Sequence, residues 1–263
     1  MEKIVYRIKA LFLFLICSKS KHAAHSPFLF NFIQVVFGKS TSEDRWQIIH
    51  HEKYELFLDS SPITITDYGT GNKQGFKYDT TVSQQAKRSL KSNREIQYLF
   101  QFVAHYQPSF IIELGTSFGI STLAMASASP NSEIISVEGC PQTSTKAQFL
   151  FQKNEIHNTT FVIGNIDEVL ESSIPKGKTF DLAIVDANHT YEHTLKYFFM
   201  LKKMRNSKSV IIFDDIHWSK GINNAWNEIK ADEDVQLTVE TWNFGFVFFN
   251  PDLSKQDFIL RKF

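Results

Sequence analysis

An apolar run that ends in an acid and two glycines lies in the middle of the chain and has the character of a ligand-binding turn. Residues 110–119 read FIIELGTSFG, and the helix-like segment ISTLAMASA follows directly. Ligands of open α/β sheets bind beyond the carboxyl ends of strands, where free amides at a helix N-terminus attract polar or anionic groups. The spacing of Gly115 and Gly119 therefore predicts a cofactor loop. A tight strand-to-helix turn without a ligand explains the same residues, so both interpretations stay open.

A second stretch with two glycines, TITDYGTGN at 64–72, is a weaker match to this pattern. The strand before it is less apolar, and the residues after it have no helical period. We interpret this stretch as a turn. Asp67 and Tyr68 within it have a second interpretation, as residues of a lid that touches the substrate.

Polar residues also follow the next two predicted strands. Glu138 ends the strand after the glycine loop, where a carboxylate can accept two hydrogen bonds from ribose hydroxyls; a surface glutamate is the alternative. Gly164, Asn165 and Asp167 follow the third strand, where we expect an adenine-binding loop. Asp167 then either accepts from the adenine amino group or caps the helix that begins there.

The elements that must position these loops form a regular series from residue 94 onward. Apolar strands are predicted at 110–114, 133–137, 160–163, 180–185 and 209–213, with helices between them. Continuous apolar strands alternating with helices predict a parallel sheet covered on both faces. Two last strands, 235–242 and 246–249, are so close in sequence that only an antiparallel hairpin can join them. The sequence predicts a doubly wound α/β domain over residues 93–263.

Residues 1–92 are predicted to form a helical extension, up to about residue 60, and then a polar, lid-like segment. The polar segment reads as a long ordered loop or a mobile cover. Lys3 and Arg7 precede the apolar run 10–17, which is how a secretory signal begins, but Lys19 and Lys21 stand where small neutral residues are expected. The run is too short to span a bilayer. We expect a helix that packs on the domain or lies on a membrane surface, with export as the alternative.

The composition excludes several classes of partner. Lysine plus arginine and aspartate plus glutamate number 28 each, and the pI is about 7.1, so nothing indicates a nucleic-acid partner. Cys17 and Cys140 fit neither a disulfide framework nor a zinc site. We expect a small-molecule partner and a reducing cytoplasm. The sequence makes no prediction of oligomeric state.

Several stretches together resemble a known family. ELGTSFGIS at 113–121 resembles the first motif, ELGXXXGXS, of class I methyltransferases of the catechol O-methyltransferase type. VEG at 137–139 is similar to the ribose-binding strand end of that family, and VD at 185–186 and FDD at 213–215 to its fourth and fifth strand ends. HSPF at 25–28, VDANHTYEHT at 185–194 and FDDIHW at 213–218 resemble an uncharacterised Bacteroidetes-type branch.

The resemblance, which covers about residues 94–250, implies a Rossmann-like methyltransferase fold. That fold has a mostly parallel seven-stranded sheet, a C-terminal antiparallel hairpin and helices on both faces. It also implies S-adenosylmethionine as cofactor and methyl transfer to an oxygen of a small-molecule acceptor. The implied cofactor-binding residues are Glu113, Gly115, Thr116, Ser117, Gly119, Ser121, Glu138, Gly164, Asn165, Asp167 and Asp186.

In the same family a magnesium ion is held by acids after the fourth and fifth strands. Asp186, Asp214 and Asp215 match those positions, although the family usually has asparagine at the last. Oxygen ligands suit magnesium, but aspartates at strand ends also cap helices or bind substrate without metal. His189 stands where the family has its catalytic lysine. A histidine is a competent general base at neutral pH, and Asp186 or Glu192 can orient it; a structural histidine is the alternative.

His217 and Trp218 follow the acids directly, so we expect them to line the substrate cleft. The Trp218 ring has two interpretations, an aromatic wall for the sulfonium or acceptor, and a packing residue. Two other functions compete with methyl transfer. One is an NAD-dependent oxidoreductase, disfavoured because the glycine loop lacks the GXGXXG spacing. The other is a non-catalytic module with a cofactor fold, which binds a partner or a membrane surface through its N-terminal helices.

Overall fold

The computed structural model describes residues 2–19, 26–38, 43–69 and 75–261. Contacts divide the chain into two compact units. We call residues 34–176 the central unit, and residues 1–33 together with 177–263 the terminal unit. The terminal unit joins both ends of the chain, so the two units do not correspond to the two predicted domains. The predicted domain boundary at residue 92 stays a prediction.

The N-terminal region is helical, as predicted. It forms α1 (Glu2–Cys17), α2 (Pro27–Phe37) and α3 (Glu43–Leu58). Proline opens α2 because the first helical position needs no amide hydrogen bond and its fixed φ suits the helix. His25, the first residue of the HSPF stretch, lies outside the described residues. Among the helices that the structure describes, none is long and apolar enough to cross a bilayer.

The polar segment after α3 is folded, so the prediction of a long loop is wrong. It contains β1 (Pro62–Asp67), the antiparallel partner β2 (Phe76–Thr81) and α4 (Val82–Ser89). Apolar side chains at alternate positions of β1, Ile63 and Ile65, are buried, and so is Val82 of α4. Few apolar residues suffice here because only one face of the hairpin is covered. Thr70, Gly71 and Asn72 of the TITDYGTGN stretch lie outside the described residues.

The remaining elements of the central unit alternate as predicted. They are α5 (Asn93–Tyr106), β3 (Phe110–Leu114), α6 (Ile120–Ala128), β4 (Glu133–Glu138), α7 (Pro141–Lys153), β5 (Thr159–Ile163) and α8 (Ile166–Ser173). β3 pairs with β4 and β4 with β5, both in parallel. Every residue of β3 is buried, so this strand holds the start of the glycine loop rigidly.

The terminal unit contains the second half of the alternation and the hairpin. Its elements are β6 (Phe180–Val185), α9 (Tyr191–Lys203), β7 (Arg205–Asp214), α10 (Lys220–Ala231), β8 (Leu237–Glu240), β9 (Phe244–Phe248) and β10 (Gln256–Ile259). β6 and β7 are parallel, whereas β9 is antiparallel to both β7 and β8. The predicted antiparallel hairpin is confirmed.

The large sheet has eight strands, one more than predicted. The additional strand is β10, which pairs in parallel with β8 at the edge of the terminal unit. Its sequence, QDFI, is short and half polar because an edge strand exposes one side to water. The predicted fold class, a mostly parallel α/β sheet that ends in an antiparallel hairpin, is confirmed.

Candidate functional site

The turn from β3 to α6 has an unusual backbone. Gly115, Ser117 and Gly119 have φ angles of 103°, 51° and 79°, all in the left-handed region. Gly119 is the N-cap of α6, and among the described residues no side chain caps this helix. The first amides of a helix have no partner within the helix and attract polar or anionic groups. The turn therefore presents an open helix N-terminus to a ligand.

Gly119 is required for close packing as well as for its φ angle. A Cβ atom on it would lie 2.8 Å from Cβ of Ala147 and 3.3 Å from Cα of the same residue, on α7. We expect Gly119→Ala to lower the free energy of unfolding by about 2–4 kcal/mol, the sum of backbone strain and overpacking. Gly177 has a similar φ of 77°, and a Cβ atom on it would meet nothing within 4 Å, so Gly177→Ala is the matched control for strain alone. Chemical denaturation measures both, and equal losses would contradict a steric role for Gly119.

Glu113 lies beneath the loop and is only 1% exposed. Its carboxylate accepts hydrogen bonds from the hydroxyls of Ser121 at 2.8 Å, Ser136 at 2.6 Å and Thr122. These residues belong to α6 and β4, so one buried acid ties both elements to β3. The structure therefore places Glu113, which we predicted to bind cofactor, as a support of the loop.

The hydroxyls of the predicted loop residues are also engaged within the protein. Thr116 Oγ1 lies 2.5 Å from Ser136 Oγ, and Ser121 donates to Glu113. Ser117 Oγ lies 3.0 Å from Oγ of Ser89, at the end of α4. These contacts shape the loop, so the groups it offers to a ligand are backbone amides more than side chains.

Glu138, at the end of β4, also holds the glycine loop in place. Its two carboxylate oxygens accept the amide of Ser117 at 2.6 Å and the amide of Cys140 at 2.8 Å. Each carboxylate oxygen can accept two hydrogen bonds, as an acceptor of ribose hydroxyls must. The predicted ribose acceptor is thus oriented in advance, with its carboxylate beside the open helix N-terminus.

Tyr68 is brought next to this carboxylate by the β1–β2 hairpin. A Cβ on Gly139 would lie 2.6 Å from Cδ2 of Tyr68, so the ring rests against the glycine that follows Glu138. In β1, the amide of Thr64 donates to Gln142 Oε1 at 2.9 Å, which holds the hairpin against the start of α7. Asp67 accepts from the amide of Gly69 and so stabilises its own turn. The lid role of Asp67 and Tyr68 stays a prediction.

The third loop of the central unit follows β5. Gly164 has φ 155°, and the Asn165 side chain caps α8 by accepting from the amide of Asp167 at 3.1 Å. The alternative in which Asp167 caps this helix is therefore wrong. Asp167 lies in the first turn, where a carboxylate interacts favourably with the helix dipole. Its predicted adenine contact stays a prediction.

In the terminal unit, acids and a histidine follow β6 and β7. His189 Nε2 lies 3.4 Å from Asp186 Oδ1, and the two side chains are 32% and 22% exposed. Burial alone would lower the pKa of His189, but the hydrogen bond to Asp186 and the charges of Asp186, Asp214 and Asp215 raise that pKa above its ordinary value of 6.5. The predicted pairing of His189 with Asp186 is present. The imidazole therefore holds a proton more tightly than a free histidine does.

The same acids do not fit the predicted magnesium site. Within the described ranges, no three or more His, Cys, Asp or Glu side chains are grouped so that they could hold a metal ion. One oxygen of Asp186 is engaged by His189. Asp215 has φ 53°, so the chain turns sharply directly after Asp214. Asp186, Asp214 and Asp215 therefore act here as charges around His189 rather than as a metal cage.

Trp218 lies beside the histidine–acid pair. Its ring centroid is 6.5 Å from that of His189, and the Arg7 guanidinium of α1 lies 4.7 Å above its ring. One interpretation of this tryptophan was an aromatic wall for the sulfonium or the acceptor. In the structure, the cation that lies over its ring is the guanidinium of Arg7. Contact with substrate stays a prediction for Trp218.

His217 points into the protein and is 7% exposed. Its ring stacks on Trp242 at 4.9 Å, and its Nε2 lies 3.1 Å from Glu240 Oε1. Phe14 of α1 contacts the same ring edge-on. The expectation that His217 lines a cleft is therefore not met, because its ring is enclosed by aromatic side chains and its polar edge is paired with a buried acid.

Glu240, which no motif in the sequence singles out, is the centre of this buried cluster. Besides His217, it accepts from Trp226 Nε1 at 2.7 Å and pairs with Lys230 Nζ at 3.5 Å. Burial alone would raise the pKa of Glu240, but the bond from His217, the charge of Lys230 and the bond from Trp226 lower that pKa overall. All four residues of β8 are buried, so no alternation of apolar and polar residues marks Glu240 as special.

Comparisons with known proteins agree with this geometry. Residues 112–216, less than half of the chain, match the family model of a methyltransferase domain. No curated protein matches the sequence.

Solved structures with the same fold include three methyltransferases. TomG from Streptomyces achromogenes, an O-methyltransferase involved in tomaymycin synthesis and solved with S-adenosylmethionine, is 15% identical with a TM-score of 0.55; 80% of this chain and 100% of that chain are covered. An O-methyltransferase from Bacillus cereus, solved with S-adenosylhomocysteine, is 16% identical with a TM-score of 0.55, covering 82% and 94%. The methyltransferase PaMTH1 from Podospora anserina, also bound to S-adenosylhomocysteine, is 13% identical with a TM-score of 0.57, covering 81% and 98%.

These likenesses extend over most of the chain and show the fold. The matched family segment runs from β3, through the glycine loop and Glu138, to the residues just after β7. Residues 112–216 are therefore similar to a methyltransferase domain, and the chain has the fold of these solved methyltransferases.

Proposed function

We propose that the protein transfers the methyl group of S-adenosylmethionine to an oxygen of a small-molecule acceptor. The observation that carries this proposal is the open N-terminus of α6, formed by three residues with positive φ and held by the two amide bonds of Glu138. The matched methyltransferase segment supports methyl transfer, and the solved methyltransferases of the same fold that hold S-adenosylmethionine or S-adenosylhomocysteine support this cofactor. The cytoplasmic location and the absence of a nucleic-acid partner remain parts of the proposal.

The central unit supplies the groups that would hold the cofactor. The backbone of the loop 115–119 receives its polar end, and Glu138 accepts from the ribose hydroxyls. Gly164, Asn165 and Asp167 form the adenine loop. Glu113, Thr116, Ser117 and Ser121 keep the glycine loop in shape through their internal hydrogen bonds. A further contact from Asp186 is part of the same proposal.

His189 is the proposed general base. When bound, the cofactor supplies a methyl group whose carbon–sulfur bond breaks as the bond to the acceptor oxygen forms. Neutral His189 with its proton on Nε2 donates to Asp186, which leaves Nδ1 to accept the acceptor's hydroxyl proton. The charges of Asp186, Asp214 and Asp215 then stabilise the imidazolium. We derive no step through magnesium, because these acids are not arranged to hold it.

Isothermal titration with S-adenosylhomocysteine, beside titration with NAD, tests the cofactor. We expect S-adenosylhomocysteine alone to bind. Glu138→Ala should weaken that binding at least about tenfold, because it removes the ribose acceptor and releases the amides of Ser117 and Cys140. Glu171, which is exposed on α8 in the same unit, gives the matched control Glu171→Ala, with affinity expected within about twofold of the parent.

The outcomes separate the competing functions. Binding of NAD in place of S-adenosylhomocysteine would transfer the assignment to an oxidoreductase. If S-adenosylhomocysteine binds but no hydroxyl acceptor is methylated in a screen run with and without magnesium, the non-catalytic module becomes the better assignment. No binding of either ligand would overturn the proposal.

A further inference from the structure

Helix α1 exposes an unusual number of large apolar side chains. Eight of them are 41–66% exposed: Ile4, Val5, Ile8, Leu11, Phe12, Leu13, Leu15 and Ile16. Scattered single apolar residues are normal on a protein surface, but a contiguous set on one helix marks an interaction surface. α1 has only 16 residues, so it is shorter than the roughly 20 that a membrane-spanning helix needs.

The exposed side chains form one continuous face. At about 100° of rotation per residue, all of them except Leu13 lie within an arc of roughly 140°. Arg7 borders one side of this arc and Lys9 the other. We call the seven apolar residues of this arc the α1 outer face: Ile4, Val5, Ile8, Leu11, Phe12, Leu15 and Ile16.

The opposite side of α1 is anchored to the terminal unit, so the outer face has a defined direction. Phe14 is buried and contacts the rings of His217 and Trp242 edge-on. Arg7 lies over Trp218, and Arg261 donates to the Leu15 carbonyl at 2.9 Å. α1 is therefore already packed on its own unit through this opposite side, and the outer face is a separate surface.

The charge pattern indicates what covers the outer face. From Glu2, the first residue of α1, to Lys19 the chain has four basic residues, Lys3, Arg7, Lys9 and Lys19, and one acidic residue, Glu2. Apolar residues of an interfacial helix enter the boundary between headgroups and acyl chains, while flanking cations attract anionic headgroups. A second copy of the same helix would bring three more cations and only one acidic residue, Glu2, to pair with them. The pattern thus favours an anionic lipid surface over self-association.

We propose that the α1 outer face binds the surface of an anionic lipid bilayer, with the helix lying in the plane of the interface. Arg7 and Lys9 contact headgroups, and the apolar arc between them enters the boundary. Because the other side of α1 contacts Trp218 and His217, membrane binding brings the residues that follow β7 near the lipid, with α1 between them. The proposal is independent of methyl transfer.

Co-sedimentation with vesicles tests this surface on the full chain. We expect binding to vesicles of phosphatidylcholine with phosphatidylglycerol, and at least about fivefold weaker partitioning into phosphatidylcholine alone. The double variant Ile8→Ser with Phe12→Ser should lower the partition coefficient at least about tenfold, because both side chains are about two-thirds exposed and insert directly. Lys9→Glu should lower it about fivefold or more.

The matched control is Phe149→Ser with Phe199→Ser, two exposed aromatic residues on α7 and α9. This control should partition as the parent chain does. Circular dichroism and the affinity for S-adenosylhomocysteine, measured on every variant, separate loss of membrane binding from loss of fold or of cofactor. Parent chain that fails to bind anionic vesicles would overturn the proposal. Light scattering that shows a dimer dissociated by the Ile8 and Phe12 changes would assign the outer face to a second copy instead.

Discussion

Replacement of His189 by alanine is expected to slow methyl transfer by about 10²–10⁴-fold, the usual range for loss of a positioned general base. The affinity for S-adenosylhomocysteine should stay within about twofold, because His189 itself is not among the groups proposed to hold the cofactor. A radiolabelled methyl-transfer assay with an identified hydroxyl acceptor measures the rate. His193→Ala is the control, since His193 bonds to Thr190 at the start of α9, and its rate should remain within about threefold of the parent.

The pH dependence tests the same role independently. Only neutral His189 can accept a proton, so the rate should rise with pH through a midpoint above 6.5, since the neighbouring acids raise this pKa. Asp186→Asn removes the hydrogen-bonded carboxylate that contributes most to that rise, and it should therefore move the midpoint to lower pH. An unchanged rate in His189→Ala, or an unchanged midpoint in Asp186→Asn, would remove His189 from the reaction.

Removal of Glu240 is expected to destabilise the protein by about 3–5 kcal/mol, the cost of breaking a buried charge pair. Glu240 is 5% exposed, and its loss would leave the buried groups of His217 and Trp226 without their acceptor and the half-buried Lys230 without its partner. Urea denaturation of Glu240→Ala measures the change in the free energy of unfolding. Glu233→Ala, an exposed acid just before β8, should change it by less than about 0.5 kcal/mol. Equal effects in the two variants would show that the cluster is energetically neutral.

The stabilisation by Glu240 should depend on pH in one direction. Its pKa in the folded protein lies below the ordinary value of 4.5, so the folded state binds the proton less tightly than the unfolded state does. This contribution is fully present above about pH 4.5 and is lost as the pH falls through the lower, folded value. The difference in stability between the parent and Glu240→Ala should therefore shrink on acidification below about pH 4.5. A difference that stays constant down to about pH 3 would contradict this assignment.

Some elements could be predicted closely because their pattern is local. The strands at 110–114 and 180–185 are continuous apolar runs with clear ends, and the structure has both at those residues. The hairpin at the C-terminal end follows from a connection too short for any other geometry. The strand at 62–67 was read only as a weak strand before a turn, and the strands at 76–81 and 256–259 were missed, because strands that are exposed on one side or lie at an edge have too few apolar residues to stand out.

The sequence likewise predicted some features of the candidate site and not others. Glycines that need positive φ, and acids at strand ends, are marked by residue type, so the glycine loop, Glu138 and the His189–Asp186 pair were found in the sequence. Residue type does not show the direction in which a side chain points. Glu113 and His217 were assigned to ligands, but the structure turns one toward three hydroxyls and the other toward a buried acid.

By itself, the sequence determined the alternation of strands and helices from residue 94 to the hairpin, the fold class and the loops that carry polar groups, because these depend on burial patterns and backbone requirements over a few residues. Only the tertiary structure decided that Tyr68 rests on Gly139, that Glu240 pairs with His217, and that the acids after β6 and β7 surround a histidine rather than a metal. The physical reason is that such contacts join residues far apart in the chain. Their distances and directions are set by how whole elements pack.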